Sequence, residues 1–272
     1  MASDAPRAGV PALKRSIESG TFGPSDHALY WERCGRGTDP AVVFLHHGLG
    51  STQAWKAQLA AFARRGWQAM AYDRWGYGHS SPRPSLDLPT FAPDIQDLTA
   101  LLDGQGIRRA AFVGHSDGGT AALYFAAQFP QRVTALVTVA AHIYAEPTTV
   151  SGFAGVQQAW ENDPTFRAGL RRPHGSRAES VFRNWHEGWA RPEHLDWDMR
   201  PMLGNVRCPT LVIQGERDEH GTPQHARDLA ESVAHGSLWL IPGVGHMAPQ
   251  DAPDEFNQRV LEFLEPFRGG AT

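Results

Sequence analysis

One stretch, Ala110–Gly119, restricts the possible folds of this chain more than any other part of it. Its first four residues are apolar and predict a buried strand, and the residues after it have helix-forming composition as far as Pro130. The turn between them carries GHSDG at positions 114–118, a G-x-S-x-G pattern. A strand, this pattern and a helix in succession predict a sharp turn that lifts the Ser116 hydroxyl above the end of a sheet. Glycine at both ends of the pattern fits this prediction, because side chains there would collide within the turn.

Apolar strands alternate with helical segments on both sides of this stretch and predict the rest of the fold. Because buried strands alternating with helices are typical of a parallel sheet, we expect an α/β protein with a mainly parallel central sheet covered by helices on both faces. The predicted strands are 41–45, 67–72, 110–113, 133–140, 210–214 and 238–241, with strand-like stretches in 22–34. The predicted helices are 53–65, 91–105, 120–127 and 253–267.

The segment from 142 to 205 interrupts this alternation and predicts an inserted unit. It is rich in Trp, Arg and Pro, with helical pieces and no clear strand. Because open α/β sheets bind ligands at the carboxyl ends of their strands, we expect 142–205 to form a helical cap over that edge. The predicted organisation is a tail over 1–21, an α/β core over 22–141 and 206–268, and the cap between the two core segments.

Length and composition limit the class of protein further. The 272 residues are 41% hydrophobic, enough to form a buried core without a disulfide or a metal. A net charge of −4 gives no basic surface for nucleic acid or an anionic membrane. The two cysteines form no metal-ligand pattern, the N-terminus lacks the apolar region of a signal peptide, and the apolar runs are too short to span a bilayer. We therefore expect a cytoplasmic protein that binds neither nucleic acid nor membranes. The sequence leaves the oligomeric state open between a monomer and a homodimer.

A nucleophilic Ser116 needs a base and an acid that orients this base. Asp218 directly follows a predicted strand, and His246 lies in a glycine-rich loop after the last one. Both are therefore expected at the same edge of the sheet as Ser116, in the order Ser-Asp-His that accompanies G-x-S-x-G. Two neighbouring carboxylates are the alternative acids, Glu216 and Glu219.

Two backbone amides are expected to stabilise the oxyanion that forms during acyl transfer. One belongs to Asp117, the residue after the nucleophile, and the other to Leu49, in a glycine-containing loop after strand 41–45. The neighbouring pair His46-His47 offers a metal site as an alternative interpretation, but no carboxylate or cysteine lies at ligand spacing from it. We therefore expect neither a metal nor a cofactor.

Together these motifs resemble the α/β-hydrolase superfamily, and in particular its small members with a single cap: esterases, cofactor-free haloperoxidase-like enzymes and carbon–carbon bond hydrolases. The resemblance covers the chain from about residue 22 and is weakest in the predicted cap. It rests on His47-Gly48 with Ser51, Asp73 with GYGHS at 76–80, GHSDGG at 114–119, Gly215 with Asp218, and Gly245-His246. A serine nucleophile argues against haloalkane dehalogenase and epoxide hydrolase chemistry, for which relatives need Asp at this position.

Two departures from the pattern of the superfamily bear on the substrate. Relatives often have an apolar residue or Gln after the serine, whereas this chain has Asp117. Its charge disfavours anionic substrates if the side chain faces the cleft. The loop after strand 41–45 also lacks the Gly-Pro-Gly extension that is common in carbon–carbon bond hydrolases, which weakens that alternative.

The residues and the resemblance together predict a serine hydrolase that cleaves a carboxylic ester of a small, hydrophobic molecule through an acyl-enzyme. Hydrolysis of a carbon–carbon bond in a vinylogous diketone, or perhydrolysis of the haloperoxidase type, uses the same triad and stays open. A non-catalytic ligand sensor on the same fold is a third alternative, from a different class of protein. Aromatic and histidine residues of the cap and the strand ends are candidates for the substrate pocket: His47, His142, Tyr144, Trp160, Trp185 and Trp189.

Overall fold

An eight-stranded sheet forms the centre of the computed structural model, which describes residues 16–23, 26–191, 194 and 196–268. Along the chain the strands are β1 (Glu18–Phe22), β2 (Leu29–Cys34), β3 (Ala41–Leu45), β4 (Gln68–Tyr72), β5 (Ala110–His115), β6 (Val133–Val139), β7 (Thr210–Gly215) and β8 (Gly236–Ile241). In the sheet they lie in the order β1-β2-β4-β3-β5-β6-β7-β8. The strands from β3 to β8 pair in parallel, whereas β1 and β2 are antiparallel to their neighbours. The predicted, mainly parallel sheet is therefore confirmed.

Helices cover both faces of this sheet. The α-helices are α1 (Lys56–Arg64), α2 (Ala92–Gly104), α3 (Asp117–Gln128), α4 (Pro147–Asn162), α5 (Pro164–His174), α6 (Ala178–Trp189), α7 (Arg200–Leu203), α8 (Pro223–Ser232), α9 (Ala248–Asp251) and α10 (Pro253–Leu264). Along β5, Ala110 and Phe112 join one apolar cluster and Ala111 and Val113 the other, because successive side chains of a strand point to opposite faces. Buried residues of α2, α3 and α8 complete the first cluster, and those of α1 and α10 complete the second.

Among the described residues, no helix has both the length and the apolar character needed to cross a lipid bilayer.

Strand β1 and helix α8 are two elements that the sequence does not predict. Strand β1 lies within the predicted tail 1–21, of which residues 1–15 are outside the described part of the chain. It is a largely exposed edge strand paired with β2, so its sequence ESGTF has no apolar pattern that would predict it. Helix α8 falls in a polar stretch for which no helix is predicted. Its N-terminus is capped by the Thr222 hydroxyl, which accepts a hydrogen bond from the His225 N–H at 3.2 Å.

Helices α4 to α7 lie between β6 and β7, in the stretch for which the sequence predicts a cap. Side chains of α4, α5 and α6 share one cavity with residues that follow β3, β5, β6, β7 and β8. Those residues lie at the carboxyl ends of the parallel strands. The helical segment therefore covers the edge at which open α/β sheets bind their ligands.

Candidate active site

Ser116 lies in a strained turn between β5 and α3. Its backbone has φ 53° and ψ −121°, and a positive φ costs energy for a residue that carries a side chain. A Cβ atom on Gly114 would lie 2.3 Å from the carbonyl oxygen of Gly118, and one on Gly118 would lie 2.3 Å from that of Leu45. Backbone contacts this close leave no room for a side chain, so the turn requires both glycines.

The imidazole of His246, which follows β8, is held by the carboxylate of Asp218, which follows β7. Nδ1 of His246 lies 2.9 Å from each carboxylate oxygen of Asp218. Because a carboxylate only accepts, Nδ1 carries the proton, and Nε2 is left as the basic nitrogen. The Asp218 carboxylate is itself oriented by the side-chain amide of Gln214, at 2.6 Å, and by the N–H of His220, at 2.8 Å.

The mutual interaction of this pair controls its protonation. Burial acts to raise the pKa of Asp218, but the hydrogen bond from His246 and its positive charge outweigh burial and lower the pKa. For His246, burial acts to lower the pKa, but the hydrogen bond and the charge of Asp218 outweigh it, so the pKa is raised. A raised pKa makes the imidazole a stronger base toward a hydroxyl group.

The two alternative acids occupy other positions. Glu219 accepts a hydrogen bond from the backbone N–H of His246, at 3.4 Å, and Glu216 is exposed at the surface. The imidazole of His246 is therefore bonded to Asp218 rather than to either glutamate.

Ser116 and His246 line the same cavity, which has a volume of about 700 Å³ and lies beneath the cap helices. Other residues that the sequence singles out also line it: His47, Gly48, Leu49, Asp117, His142, Trp185 and the alternative acid Glu219. Much of the remaining wall is apolar and comes from α4 and α5: Phe153, Val156, Ala159, Phe166 and Leu170. A largely apolar cavity with a few converging polar groups is typical of a site for a small organic ligand.

Three predicted pocket residues lie outside the described wall of this cavity and have other partners. The hydroxyl of Tyr144 donates a hydrogen bond to Asp228 at 2.8 Å. The indole of Trp160 stacks on Phe182, with ring centroids 4.5 Å apart and planes 9° apart. Trp189 donates its indole N–H to Asp117 at 3.1 Å. These side chains pack the cap together or tie it to the core.

Sequence reasoning also missed several wall residues, among them Phe153, Val156, Phe166, Leu170, His220 and Met247. The spacing of Phe153 and Val156, three residues apart on α4, does indicate a shared helix face. An apolar face of this kind packs equally well on a solid core or on a cavity. The sequence therefore predicts the face but not the space that it encloses.

The amides of Leu49 and Asp117 are available as hydrogen-bond donors beside Ser116. Asp117 is the first residue of α3, and the first N–H groups of a helix have no acceptor within it. Leu49 lies in the loop after β3, and both residues line the cavity with Ser116. Among the described residues, neither amide has a hydrogen-bond acceptor. The position of these two donors is that expected of an oxyanion hole.

His46, which the alternative interpretation makes a metal ligand, uses both ring nitrogens within the protein. Its Nε2 accepts a hydrogen bond from the Arg74 N–H at 3.1 Å. Its Nδ1 therefore carries the proton, which it donates to the carbonyl of His47 at 2.7 Å. His46 is thus a buried structural residue that holds the loop after β3.

The side chain of Asp117 forms a buried link between the cap and the core. Its two oxygens accept hydrogen bonds from the indole N–H groups of Trp185, at 3.2 Å, and Trp189, at 3.1 Å. The guanidinium of Arg74 lies 3.7 Å away and also pairs with Asp94 at 3.4 Å. Burial raises the pKa of Asp117, although Arg74 and the two tryptophans oppose the shift. The carboxylate of Asp117, the residue next to Ser116, therefore connects helix α6 to the core.

A mainly parallel sheet with a serine on a strand–turn–helix element, and an Asp–His pair at the same edge, defines the class of the α/β hydrolases. The chain matches the α/β hydrolase fold family over residues 40–200, which is more than half of its length. The chain belongs to this family.

Individual hydrolases are similar to the chain over most of its length. The serine hydrolase BPHL of Homo sapiens is 29% identical over 267 residues, covering 96% of this chain and 91% of that protein. The bifunctional esterase/perhydrolase DCH of Acinetobacter calcoaceticus is 28% identical over 259 residues, covering 83% and 92%. The solved structure of the 2-hydroxy-6-oxo-6-phenylhexa-2,4-dienoate hydrolase BPHD of Rhodococcus sp. strain RHA1 shares the fold, with a TM-score of 0.79 at 18% identity over 93% of this chain and 100% of that one. Family and relatives support a hydrolase.

Proposed function

We propose that this protein is a serine hydrolase that cleaves a carboxylic ester of a small, hydrophobic molecule through an acyl-enzyme. The observation that carries the proposal is one cavity lined both by Ser116, on its strained turn, and by His246, which Asp218 holds. This is the arrangement that acyl transfer by serine requires. The largely apolar wall that the cap segment 142–205 adds favours a hydrophobic substrate.

The first half of the reaction follows from these positions. Nε2 of His246 accepts the proton of the Ser116 hydroxyl as the hydroxyl oxygen attacks the acyl carbonyl. Asp218 keeps Nδ1 protonated and stabilises the imidazolium that forms. The imidazolium then protonates the leaving alcohol, and the acyl group stays on Ser116. In the second half, His246 activates a water molecule that releases the acid.

The oxyanion of each tetrahedral intermediate would accept hydrogen bonds from the amides of Leu49 and Asp117. Donors of this kind contribute roughly 3 kcal/mol each to the stability of the transition state. The position of Asp117 at the N-terminus of α3 adds the favourable end of a helix dipole. The carboxylate of Asp117 takes no part in this hydrogen bond, because its oxygens bind the cap tryptophans and Arg74.

A fluorophosphonate probe and a panel of substrates test this function. We expect the probe to label Ser116 in the folded protein and to leave the Ser116→Ala variant and the denatured protein unlabelled. Aryl esters should be turned over faster than amides, thioesters, lactones and a vinylogous diketone. Labelling without ester turnover, combined with cleavage of the diketone, would replace the esterase by a carbon–carbon bond hydrolase. No labelling at all would favour the ligand sensor.

The charge of the acyl chain should affect the rate strongly. We expect the kcat/KM of the mono-para-nitrophenyl ester of adipic acid to be at least about tenfold lower than that of para-nitrophenyl heptanoate, a difference of about 1.4 kcal/mol. The physical reason is that much of the cavity wall is apolar, so a carboxylate at the end of the acyl chain loses hydration there. Equal kcat/KM values for the two esters would contradict this expectation.

A further inference from the structure

His174, the last residue of α5 in the cap, spans two loops of the core. Its Nδ1 accepts a hydrogen bond from the backbone N–H of Gly78 at 3.0 Å, and its Nε2 lies 3.1 Å from the carbonyl oxygen of Leu49. An amide only donates and a carbonyl only accepts, so the ring is neutral with its proton on Nε2. The side chain is buried, and burial lowers the pKa of His174, which favours this neutral form.

The carbonyl that His174 binds lies next to a proposed oxyanion donor. The N–H of Leu49 belongs to the peptide between Gly48 and Leu49, and the carbonyl of Leu49 belongs to the next peptide. On the other side, the carbonyl of His47 accepts the Nδ1 proton of His46 at 2.7 Å and the N–H of Gly50 at 3.0 Å. Hydrogen bonds therefore hold the peptides on both sides of the one that carries the Leu49 N–H. The preceding peptide is held from within the core, and the following one is held from the cap.

A second cap residue strengthens this attachment. The guanidinium of Arg177 donates a hydrogen bond to the carbonyl of Gly78, the same residue whose N–H binds His174. Gly78 has φ +48° and packs so closely on the carboxylate of Asp73 that a Cβ atom there would collide with it. The same carboxylate accepts a hydrogen bond from the N–H of His79 at 2.7 Å, so this loop is held by the core. The Nδ1 side of the His174 ring is thus fixed to the core through Gly78, which gives Nε2 on the opposite side a defined position relative to the carbonyl of Leu49.

We propose that His174 is a positioning residue that sets the orientation of the Leu49 amide from the cap. The inference rests on the proposed function, since it presumes that Leu49 stabilises an oxyanion. His174 is not among the described residues that line the cavity, so it acts on the reaction only through the loop 47–50. A consequence is that the oxyanion hole is complete only when the cap lies in place over the sheet.

Two substitutions separate the two hydrogen bonds of His174. In His174→Gln the side-chain amide nitrogen falls near the position of Nε2 and can donate to Leu49. In His174→Asn the side-chain oxygen falls near Nδ1 and can accept from Gly78, but the shorter chain does not reach Leu49. We expect His174→Asn to lower kcat for ester hydrolysis about 10-fold to 30-fold with little change in KM, less than the roughly 100-fold or greater loss for removing an oxyanion donor. His174→Gln should keep kcat within about threefold of the wild type.

The melting temperature reports whether a variant is destabilised, and kcat reports whether its catalysis is impaired. Measured together, they distinguish a positioning role of His174 from a merely structural one. His186→Asn, which alters a partly buried histidine on α6 of the cap, is the control and should leave kcat unchanged. A wild-type kcat in His174→Asn would overturn the proposal, and so would equal losses of kcat in His174→Asn and His174→Gln. The Ser116→Ala variant separates the two hypotheses. If it keeps full turnover, the proposed function fails; if it loses turnover while both His174 variants keep theirs, only the role of His174 fails.

Discussion

Ser116→Ala lowers kcat for ester hydrolysis by roughly 10⁴-fold to 10⁶-fold, and the variant stays folded. The loss is this large because the hydroxyl oxygen of Ser116 is the atom that attacks the acyl carbonyl and carries the acyl group in the acyl-enzyme. The fold should survive, because Ala has the same Cβ atom as Ser and meets the same positive φ at position 116. Steady-state kinetics with para-nitrophenyl esters and the melting temperature of both proteins check the two parts of this prediction.

A serine outside the described cavity wall provides the control. The hydroxyl of Ser232, on α8, donates to the carbonyl of Asp228 at 2.6 Å and has no part in the cavity wall as described. Ser232→Ala should therefore keep kcat near that of the wild type. A small residual rate in Ser116→Ala is expected, because the oxyanion donors and substrate binding still act on water. Turnover near that of the wild type would remove Ser116 from the mechanism.

The sequence predicts the parts of the fold that have a strong apolar pattern. Strands β3 and β5 are continuous apolar runs because both of their faces are buried, and their bounds follow closely from the sequence. Strand β1 and helix α8 lie at the periphery, where a polar sequence is tolerated and main-chain hydrogen bonds supply much of the stability. Strand β1 has no apolar pattern, and the apolar residues of α8, Ala226, Leu229 and Ala230, are too few to predict a helix by themselves.

The same distinction applies to the candidate site. Ser116, Asp218 and His246 each follow a strand of the parallel sheet, so the topology alone places them at one edge. The topology of the sheet does not place the residues of the cap in the same way, because the packing of the cap helices decides which aromatic side chains line the cavity. Trp185 lines it, whereas Trp160 stacks on Phe182 instead. The role of His174 depends on contacts between the cap and two core loops, which no local pattern in the sequence indicates.

The protein should lose stability as the pH falls below 6.5, because several histidines are buried as neutral rings. Burial and neighbouring positive charge lower the pKa of His142 to about 3, and burial holds the pKa values of His46 and His115 well below their usual range. In the unfolded chain these rings take up protons near pH 6.5, whereas in the folded protein they do not. The stabilisation is therefore complete above pH 6.5 and decreases as the pH falls toward the folded pKa values. His246, whose pKa is raised, opposes this trend by at most one proton.

Urea unfolding at a series of pH values measures this effect. At pH 5, His142 alone should lower the free energy of unfolding by about 2 kcal/mol relative to its value above pH 6.5, and His46 and His115 add to the loss. His142→Gln should reduce the slope of the free energy of unfolding against pH by up to about 1.4 kcal/mol per pH unit, the value for one proton. His235→Gln, at an exposed position, is the control and should leave the slope unchanged. A free energy of unfolding that is constant between pH 7.5 and 5 would show that these rings titrate alike in the folded and unfolded chains.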